Sequence, residues 1–317
     1  MPDIVTLTIN PAVDIFVNVG RVEPTRKMRC SAPKRDPGGG GINVARVANR
    51  LGIGVAAIYP MGGAIGRLLL RLLEREAIDS IVIPAHVETR ENFTAYEEES
   101  GQQYRFVLPG SALHRAEWEA CLDQLSALTE KPRYVVASGS IAPGVPVDFF
   151  AQVAQRAKAL GAKIALDTSG PALGAALEEG VTLVKPNQNE LSEFAGVSLD
   201  SDEARIAACR KLVDDGKAEM VALTLGGDGA MLVSRSRILR AKPMDIEVVS
   251  AVGAGDSFLG GLVASLTRGD ALDQAFRIAV AAGSAAVANP GTELCGEQDV
   301  NKLMPWVEIS EIASAAA

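Results

Sequence analysis

The sequence predicts an α/β fold, in which helices cover both faces of a mainly parallel sheet and a small second β-sheet projects from it. Three observations support this fold: predicted strands alternate with predicted helices, two stretches break the alternation, and the composition is globular. Of the 317 residues, 48% are hydrophobic and 22% are charged, which excludes a wholly disordered or fibrous chain. A chain of this length buries a sizeable core.

Short apolar runs bounded by turn residues predict the strands of the main sheet. Segments with apolar residues at helical spacing lie between these runs and predict helices. Strands that alternate with helices form a mainly parallel sheet covered on both faces. The predicted strands are Ile4–Ile9, Val55–Ile58, Tyr134–Ala137, Lys163–Leu166, Thr182–Val184 and Met220–Leu225, and the predicted helices are Arg67–Arg75, Ala116–Leu128, Val147–Leu160, Glu203–Asp214 and Leu272–Val287.

Two stretches, residues 14–35 and 88–109, depart from this pattern and predict a β-flap. The first is polar and irregular, and the second alternates with period two around Ser100-Gly101 as a hairpin does. A flap with open edges and an apolar face needs a cover. We therefore expect a homodimer through the flap, the alternative being a flap that folds back on its own domain.

The charge and the cysteines exclude several classes of protein. The net charge of −8 makes a nucleic-acid partner unfavourable. The four cysteines are scattered and the two histidines, His86 and His114, have no zinc-ligand spacing. Scattered thiols and no secretory signal predict a cytoplasmic protein. The longest uncharged runs are shorter than the ~20 apolar residues of a membrane span, so no membrane partner is expected.

A run of four glycines, Gly38 to Gly41, precedes a predicted amphipathic helix that ends near Leu51. Glycine allows left-handed backbone and lets a ligand approach the main chain. Asn43, at the helix start, can cap the helix or bind a ligand hydroxyl. A capped glycine-rich turn is the simpler explanation, but four glycines exceed the need of a turn, which favours ligand contact.

A second glycine motif, Gly253-Ala254-Gly255-Asp256, lies between a predicted strand at Ile246–Val249 and a predicted helix. Backbone N–H groups at such a helix start converge on one point and favour a negative charge there. The same field should keep Asp256 ionised at neutral pH, as a proton acceptor in phosphoryl transfer must be. Asp256 as a simple helix cap is the alternative.

Two further motifs follow predicted strands, and each has a purely structural alternative. Asn187 and Glu190 stand at i and i+3, where they suit a magnesium–phosphate network or a capping box. The Gly-Gly-Asp-Gly turn at 226–229 suits nucleotide contact or a simple hairpin loop. Basic residues in the flap suit a sugar-phosphate pocket or a solvated strand face. They are Lys27, Arg29, Arg90 and Arg105.

In this order, the motifs resemble those of the ribokinase-like PfkB family of sugar kinases, and the similarity extends over nearly the whole chain. Gly38–Ala45 resembles the N-terminal signature of the family, Gly253–Asp256 its C-terminal signature, and Lys185–Glu190 its N-x-x-E motif. Segments outside the signatures, such as Arg29–Pro33, are most similar to the isozyme-2 subgroup of bacterial 6-phosphofructokinases. The resemblance implies one ribokinase-like, three-layer α/β/α kinase domain over residues 1–317, with the flap as its lid.

The resemblance also implies ATP-dependent phosphorylation of fructose 6-phosphate to fructose 1,6-bisphosphate, with ATP and Mg²⁺ as cofactors. Asp256 would be the base and Gly253, Ala254 and Gly255 the anion hole. The implied sugar-phosphate ligands are Asp14, Lys27, Arg29, Gly39, Asn43, Arg90, Arg105 and Ser140. The implied nucleotide ligands are Lys185, Asn187, Glu190, Thr224, Gly226, Gly227, Gly229, Val248, Val280 and Ser284, with Glu190 also reaching Mg²⁺ through water. A monovalent cation such as K⁺ would lie among Ser250, Val252, Ala286, Asn289 and Gly291.

Alternatives remain open at this point. Tagatose-6-phosphate kinases and 1-phosphofructokinases share the phosphate-binding architecture of the family and differ in a few hydroxyl contacts. A non-catalytic protein that binds nucleotide or sugar phosphate is the alternative from a different class. The presence of Asp256 argues against it, since such a protein has no use for the base. The chain also departs from the common family form, with Ser250-Ala251 in place of Asp-Thr and an acidic Glu293 in place of a basic residue.

Overall fold

The strands of the protein form two separate sheets in the computed structural model, which describes residues 2–313. In chain order they are β1 Ile4–Leu7, β2 Ala12–Val19, β3 Lys34–Gly38, β4 Val55–Met61, β5 Asp79–Pro84, β6 Arg90–Glu97, β7 Gln103–Val107, β8 Tyr134–Ser138, β9 Lys163–Asp167, β10 Val181–Val184, β11 Ala218–Thr224, β12 Ala230–Ser234, β13 Ile238–Ala241 and β14 Ile309–Glu311. All six strands predicted for the main sheet are present, with ends shifted by up to three residues.

The larger sheet has ten strands in the order β14-β13-β12-β11-β10-β9-β8-β1-β4-β5. The seven strands from β11 to β5 are parallel, and β12, β13 and β14 extend the sheet antiparallel at one side. β1 lies between β8 and β4, so the chain winds away from it in both directions. Ligands of open α/β sheets bind at such a switch point, beyond the carboxyl ends of the strands.

Helices cover both faces of this sheet, as the sequence predicts. In chain order they are α1 Gly40–Arg50, α2 Gly63–Arg75, α3 Arg115–Ser126, α4 Phe149–Ala159, α5 Gly170–Glu178, α6 Gln188–Ala195, α7 Asp202–Asp214, α8 Ala254–Arg268, α9 Leu272–Val287 and α10 Glu297–Leu303. Helices α1, α2, α8, α9 and α10 share one buried cluster, and α3 to α7 share the other. Alternate residues of β8 enter opposite clusters, with Val136 in the first and Val135 in the second, which gives three layers.

The second sheet is the predicted β-flap, which we call the lid sheet: strands β3, β2, β6 and β7 in that order. β2 runs parallel to β6, with Ala12 opposite Arg90, while β3 and β7 pair antiparallel at the two edges. The flap extends slightly beyond the predicted segments, since β2 starts at Ala12 and β3 ends at Gly38. Phe106 is 57% exposed on the lid sheet and lies 6.2 Å, centroid to centroid, from the ring of Phe93.

One predicted strand, Ile246–Val249, is wrong. Residues 242–250 form an irregular segment, and Val248 is 66% exposed. β14, and not this segment, pairs with β13 and forms the edge of the sheet at that end. Among residues 2–313, no helix has the length and apolar character required to cross a bilayer.

Candidate active site

The carboxyl ends of the central parallel strands and the start of α8 come together beneath the lid sheet. Gly253 precedes α8 with φ of 75°, and a Cβ there would lie 2.5 Å from Leu294. Glycine is therefore required at this position both by the backbone angle and by packing. A Cβ on Gly255 would lie 3.3 Å from the Lys185 ammonium, so the helix start and that cation are neighbours. This arrangement favours an anion at the start of α8.

Asp256 lies in the first turn of α8, and its Oδ2 accepts a hydrogen bond of 2.9 Å from Nδ2 of Asn43. The pKa of Asp256 is raised to about 6, chiefly by burial and also by the nearby carboxylate of Asp167, while the Asn43 hydrogen bond and the Lys185 charge lower it. Burial and Asp167 thus raise this pKa, although a helix start by itself favours the ionised carboxylate. At neutral pH the carboxyl is still mostly ionised, and a pKa near the working pH suits a general base.

Lys185 follows β10 and is 5% exposed, with its ammonium 3.1 Å from Oδ1 of Asp167 at the end of β9. Burial lowers the pKa of Lys185, but the carboxylates of Asp167, Glu190 and Asp256 outweigh burial and raise it. The lysine therefore stays charged. Sequence reasoning missed Asp167. Its only signal is a position at the carboxyl end of a predicted parallel strand, where side chains face a ligand crevice.

Asn187 and Glu190 form the capping box of α6. Oδ1 of Asn187 accepts from the Glu190 N–H at 2.9 Å, and Oε2 of Glu190 accepts from the Asn187 N–H at 2.8 Å. The structural alternative is therefore correct. Burial raises the pKa of Glu190, more than the Asn187 N–H and Lys185 lower it. Its Oε1 has no hydrogen bond within residues 2–313 and remains available to a ligand.

A cavity of about 450 Å³ adjoins Lys185 and the start of α8. Nine of the ten predicted nucleotide ligands line this cavity, and only Glu190 does not. They are Lys185, Asn187, Thr224, Gly226, Gly227, Gly229, Val248, Val280 and Ser284. Gly226 and Gly227 begin a short 3₁₀ turn between antiparallel β11 and β12, so the hairpin loop is also confirmed. Met244, Phe258 and Gly283 line the cavity too and were not predicted, because no local motif marks them.

The four glycines at 38–41 are explained in part by packing. A Cβ on Gly38 would lie 2.5 Å from the Asp14 carboxylate, and one on Gly41 would lie 2.5 Å from the Thr8 hydroxyl. Gly39 has φ of 108°, which few other residues adopt. Asn43 does not cap α1, since the helix already begins at Gly40, and its side chain faces Asp256 instead.

Asp14 of β2 lies on the lid side of the site. Its Oδ1 accepts a hydrogen bond of 2.7 Å from Asn92 on β6. Burial raises the pKa of Asp14, although the Asn92 hydrogen bond and the charges of Arg105, Arg90 and Arg46 lower it. Asp14 in turn raises the pKa of Asp256. The structure thus brings this predicted sugar ligand to the candidate base.

Arg90 and Ser140 lie at the far end of the same crevice and are joined through Asn10. Arg90 donates to the Asn10 carbonyl at 3.0 Å and the Leu108 carbonyl at 2.6 Å, and its Nε has no partner within the described chain. Ser140 Oγ accepts from Nδ2 of Asn10 at 3.1 Å. Burial lowers the pKa of Arg90, and Asp14 opposes that effect.

Lys27 and Arg29 lie in the exposed loop between β2 and β3. Within residues 2–313 no hydrogen bond or ion pair joins either side chain to the other predicted ligands. The structure of one chain therefore leaves these two residues apart from the crevice, and their predicted roles stay predictions.

The predicted cation ligands come from two neighbouring loops. The Ser250 hydroxyl donates to the Gly291 carbonyl at 2.7 Å and accepts from the Val252 N–H at 3.3 Å. Asn289 N–H bonds to the Ala286 carbonyl at 3.2 Å, at the end of α9. The donors available here are carbonyl and hydroxyl oxygens, which suit a hard cation.

The two histidines are neighbours in space although their sequence spacing gave no sign of it. His86 and His114 stack with ring centroids 3.4 Å apart, beside Glu117. Both oxygens of Glu117 already accept hydrogen bonds, from the N–H groups of His86 and His114 and from Nδ1 of His86. Glu117 belongs to the capping box at the start of α3, and this role explains the cluster.

Comparisons with known proteins agree with the fold. The model of the pfkB family of carbohydrate kinases matches residues 5–299. The chain is 44% identical to the ATP-dependent 6-phosphofructokinase isozyme 2 of Mycobacterium tuberculosis over 95% of this chain and 88% of that protein. It thus belongs to the pfkB family of carbohydrate kinases.

Two solved structures of a further relative have the same fold. They are phosphofructokinase-2 of Escherichia coli in complex with potassium, with a TM-score of 0.92 and 39% identity, and the same enzyme in complex with fructose-6-phosphate, with a TM-score of 0.90 and 38% identity. Each match covers 96% of this chain and 99% of the other.

Proposed function

We propose that this chain transfers a phosphoryl group from ATP to the 1-hydroxyl of fructose 6-phosphate, which yields fructose 1,6-bisphosphate and ADP. The observation that carries the proposal is the setting of Asp256. Its buried carboxyl, with a pKa of about 6, stands at the start of α8, within electrostatic reach of Asp14 on the lid side and Lys185 on the cavity side. A base in this position can meet a sugar hydroxyl and a nucleotide phosphate together.

In the proposed reaction the sugar 1-oxygen forms a bond to the γ-phosphorus of ATP while its proton passes to Asp256. The bond between that phosphorus and the bridging oxygen breaks, and ADP leaves with the bonding electrons. The N–H groups of Gly253, Ala254 and Gly255 would stabilise the negative charge of the transferred group. Because phosphoryl transfer depends mainly on positioning and charge stabilisation, the preformed helix start suits it.

On the cavity side, Lys185 and Asn187 would contact the ATP phosphates, and Thr224, Gly226, Gly227 and Gly229 would line the nucleotide. Val248, Val280 and Ser284 would enclose the adenine. Carboxylates are the ligands that Mg²⁺ prefers, and Asp167 and Glu190 supply them beside Lys185. Bound Mg²⁺ would neutralise phosphate charge, with Glu190 reaching it through water.

On the lid side, Asp14, Gly39 and Asn43 would hold the sugar hydroxyls, which fixes the acceptor oxygen near Asp256. Arg90, Arg105 and Ser140 would bind the 6-phosphate, with Lys27 and Arg29 reaching it from the exposed loop. The partner-free Nε of Arg90 supports this assignment. A guanidinium with an unused donor gains a charge-assisted hydrogen bond from a phosphate.

Three further proposals accompany this function. The exposed apolar side chains of the lid sheet, Phe106 and Leu108 among them, support a homodimer through that sheet, across which Lys27 would reach the partner's site. The oxygens around Ser250 and Gly291 support a bound K⁺. The sequence-based expectation of a cytoplasmic enzyme is kept as a proposal.

A coupled ADP-release assay tests the function directly. The panel contains fructose 6-phosphate, tagatose 6-phosphate, fructose 1-phosphate and the free sugars, each with Mg·ATP. The highest kcat/KM is expected for fructose 6-phosphate. A higher value for fructose 1-phosphate or tagatose 6-phosphate would replace the proposed substrate, and binding without ADP release for any member would indicate a non-catalytic protein.

A further inference from the structure

A buried arginine on α1, Arg46, contacts the candidate site without facing the crevice. Its side chain is 2% exposed, and the guanidinium forms hydrogen bonds with three partners. Nη1 donates to the Pro37 carbonyl at 2.9 Å and to Oδ1 of Asn43 at 3.3 Å. Nε donates to Oε1 of Glu76 at 2.8 Å, and Nη2 lies 2.6 Å from the same oxygen in an ion pair. The arginine thus joins the glycine turn, the end of α2 and Asn43.

The contact with Asn43 determines which end of its amide faces the base. An asparagine amide has an oxygen that accepts and a nitrogen that donates, whereas a guanidinium only donates. Arg46 therefore holds Oδ1 of Asn43 toward itself, and Nδ2 is turned to Asp256, which it meets at 2.9 Å. If the amide were reversed, the nitrogen of Asn43 would face the donors of Arg46, and its oxygen would face the carboxylate of Asp256. Neither pair could form a hydrogen bond.

We propose that Arg46 is a positioning residue for phosphoryl transfer: through Asn43 it orients the carboxylate of Asp256, and its charge supports Asp14 in the same crevice. This inference rests on the proposed function. The positioning role is distinct from the proposed catalytic and binding roles, because Arg46 touches neither Asp256 nor the cavity.

The charges that face Asp256 set the sign of the expected effect. Asp167 on β9 and Asp14 on β2 raise its pKa, and Lys185 after β10 and the Asn43 hydrogen bond lower it. Loss of an ordered Asn43 donor therefore raises the pKa of Asp256. The base must be ionised to act, so the acidic limb of kcat/KM moves to higher pH.

The helix also supplies a matched control, Arg50. It lies one turn after Arg46 and binds the same carboxylate, with Nη2 3.0 Å from Oε2 of Glu76. Its other hydrogen bonds go to the Leu294 and Cys295 carbonyls, and none goes to Asn43. In either single variant Glu76 loses one arginine and keeps the other. Both variants therefore lose an ion pair, but only the Arg46 variant loses the contact with Asn43.

The test compares Arg46→Met with Arg50→Met in the full chain, by steady-state kinetics over a range of pH, nucleotide affinity and thermal unfolding. We expect Arg46→Met to lower kcat on the order of 100-fold, since small misplacements of reacting groups have effects of this size. Its acidic limb should move to higher pH, and its ADP affinity should not change. Arg50→Met should lower thermal stability and keep the wild-type kcat and pH profile. Equal kinetics in the two variants, or an unmoved acidic limb in Arg46→Met, would overturn the proposal.

A second variant and a second readout keep the test independent of folding and of the substrate. Arg46→Lys keeps the charge, but its compact ammonium cannot reproduce the planar fork of guanidinium donors that reaches Pro37, Asn43 and Glu76, so it should fold and lose a smaller part of kcat. The pKa of Asp256 can also be followed by carboxyl ¹³C NMR without any turnover. If wild-type protein fails to phosphorylate every sugar of the panel, the proposed function fails. A higher Asp256 pKa in Arg46→Met would still support the positioning role, and an unchanged one would exclude it.

Discussion

Replacing Asp256 by Asn is expected to remove most of the turnover and, at the same time, to stabilise the folded protein. Both effects follow from the burial of one carboxylate. Asn has nearly the same shape and can accept the Asn43 hydrogen bond through its amide oxygen, so the packing of α8 is preserved. The Asn side chain cannot take a proton, and it places no negative charge beside Asp167.

The size of the stabilisation follows from the pKa. A carboxyl whose pKa rises from 3.8 to about 6 on folding weakens the folded state by about 3 kcal/mol at neutral pH. Because the pKa is higher in the folded state, this cost is fully present above about pH 6 and disappears as the pH falls toward about 4. Asn has no such cost, so the variant should gain up to about 3 kcal/mol near neutral pH and little in acid. Loss of a general base should lower kcat by a factor of about 10² to 10⁴.

The measurements are urea unfolding of wild type and variant at about pH 7.5 and about pH 5, with ADP release at the higher pH. Asp123→Asn, at an exposed position on α3, is the control and should change neither quantity. If Asp256→Asn is no more stable than wild type at the higher pH, or if its advantage is the same at both, the buried-charge argument is wrong. Near-normal turnover would instead exclude Asp256 as the base.

Three other predictions concern separate parts of the molecule. Arg90→Ala should raise KM for the sugar phosphate far more than KM for ATP, because its Nε has no partner among residues 2–313 and is free to bind a phosphate; equal changes in steady-state kinetics would count against this role. Lys185→Met should lower kcat about 100-fold and shift the acidic limb of the pH profile upward, since Lys185 lowers the pKa of Asp256; an unmoved limb would contradict this coupling. Phe106→Ser should convert a dimer to monomers in sedimentation at micromolar concentration, and a monomeric wild type would refute the lid-sheet interface.

The parallel sheet could be predicted from sequence because its strands are buried on both faces and stand out as apolar runs between turns. Helix Leu272–Val287 was predicted to the residue, since its apolar spacing is continuous. Ile246–Val249 has the same local character as a strand, yet β14 and not this segment pairs with β13. Which segment pairs with β13 is settled by β14, which comes much later in the chain, and no local pattern carries that information.

In the candidate site, too, some residues could be predicted from local sequence and others could not. Motifs that combine glycine with a neighbouring polar residue drew attention to Asn43 and Asp256, whose side chains meet at 2.9 Å in the structure. Asp167 and Arg46 carry no motif, and each matters only through a partner far away in the chain, Lys185 for the first and Asn43 with Glu76 for the second. The raised pKa of Asp256 could not be predicted for a related reason. The helix start could be seen in the sequence, but the burial and the second carboxylate that outweigh it could not.

Asn187 and Glu190 show that a structural explanation and a functional one need not compete. The two reciprocal hydrogen bonds of the capping box use one oxygen of each side chain and fix both rotamers at the start of α6. Glu190 thereby holds its second oxygen in a set direction beside Lys185. A ligand carboxylate that is already immobilised loses little conformational freedom when a cation or water binds it. The cap therefore supports the proposed binding role of Glu190, and a helix cap that also borders a cavity should be treated as a candidate ligand.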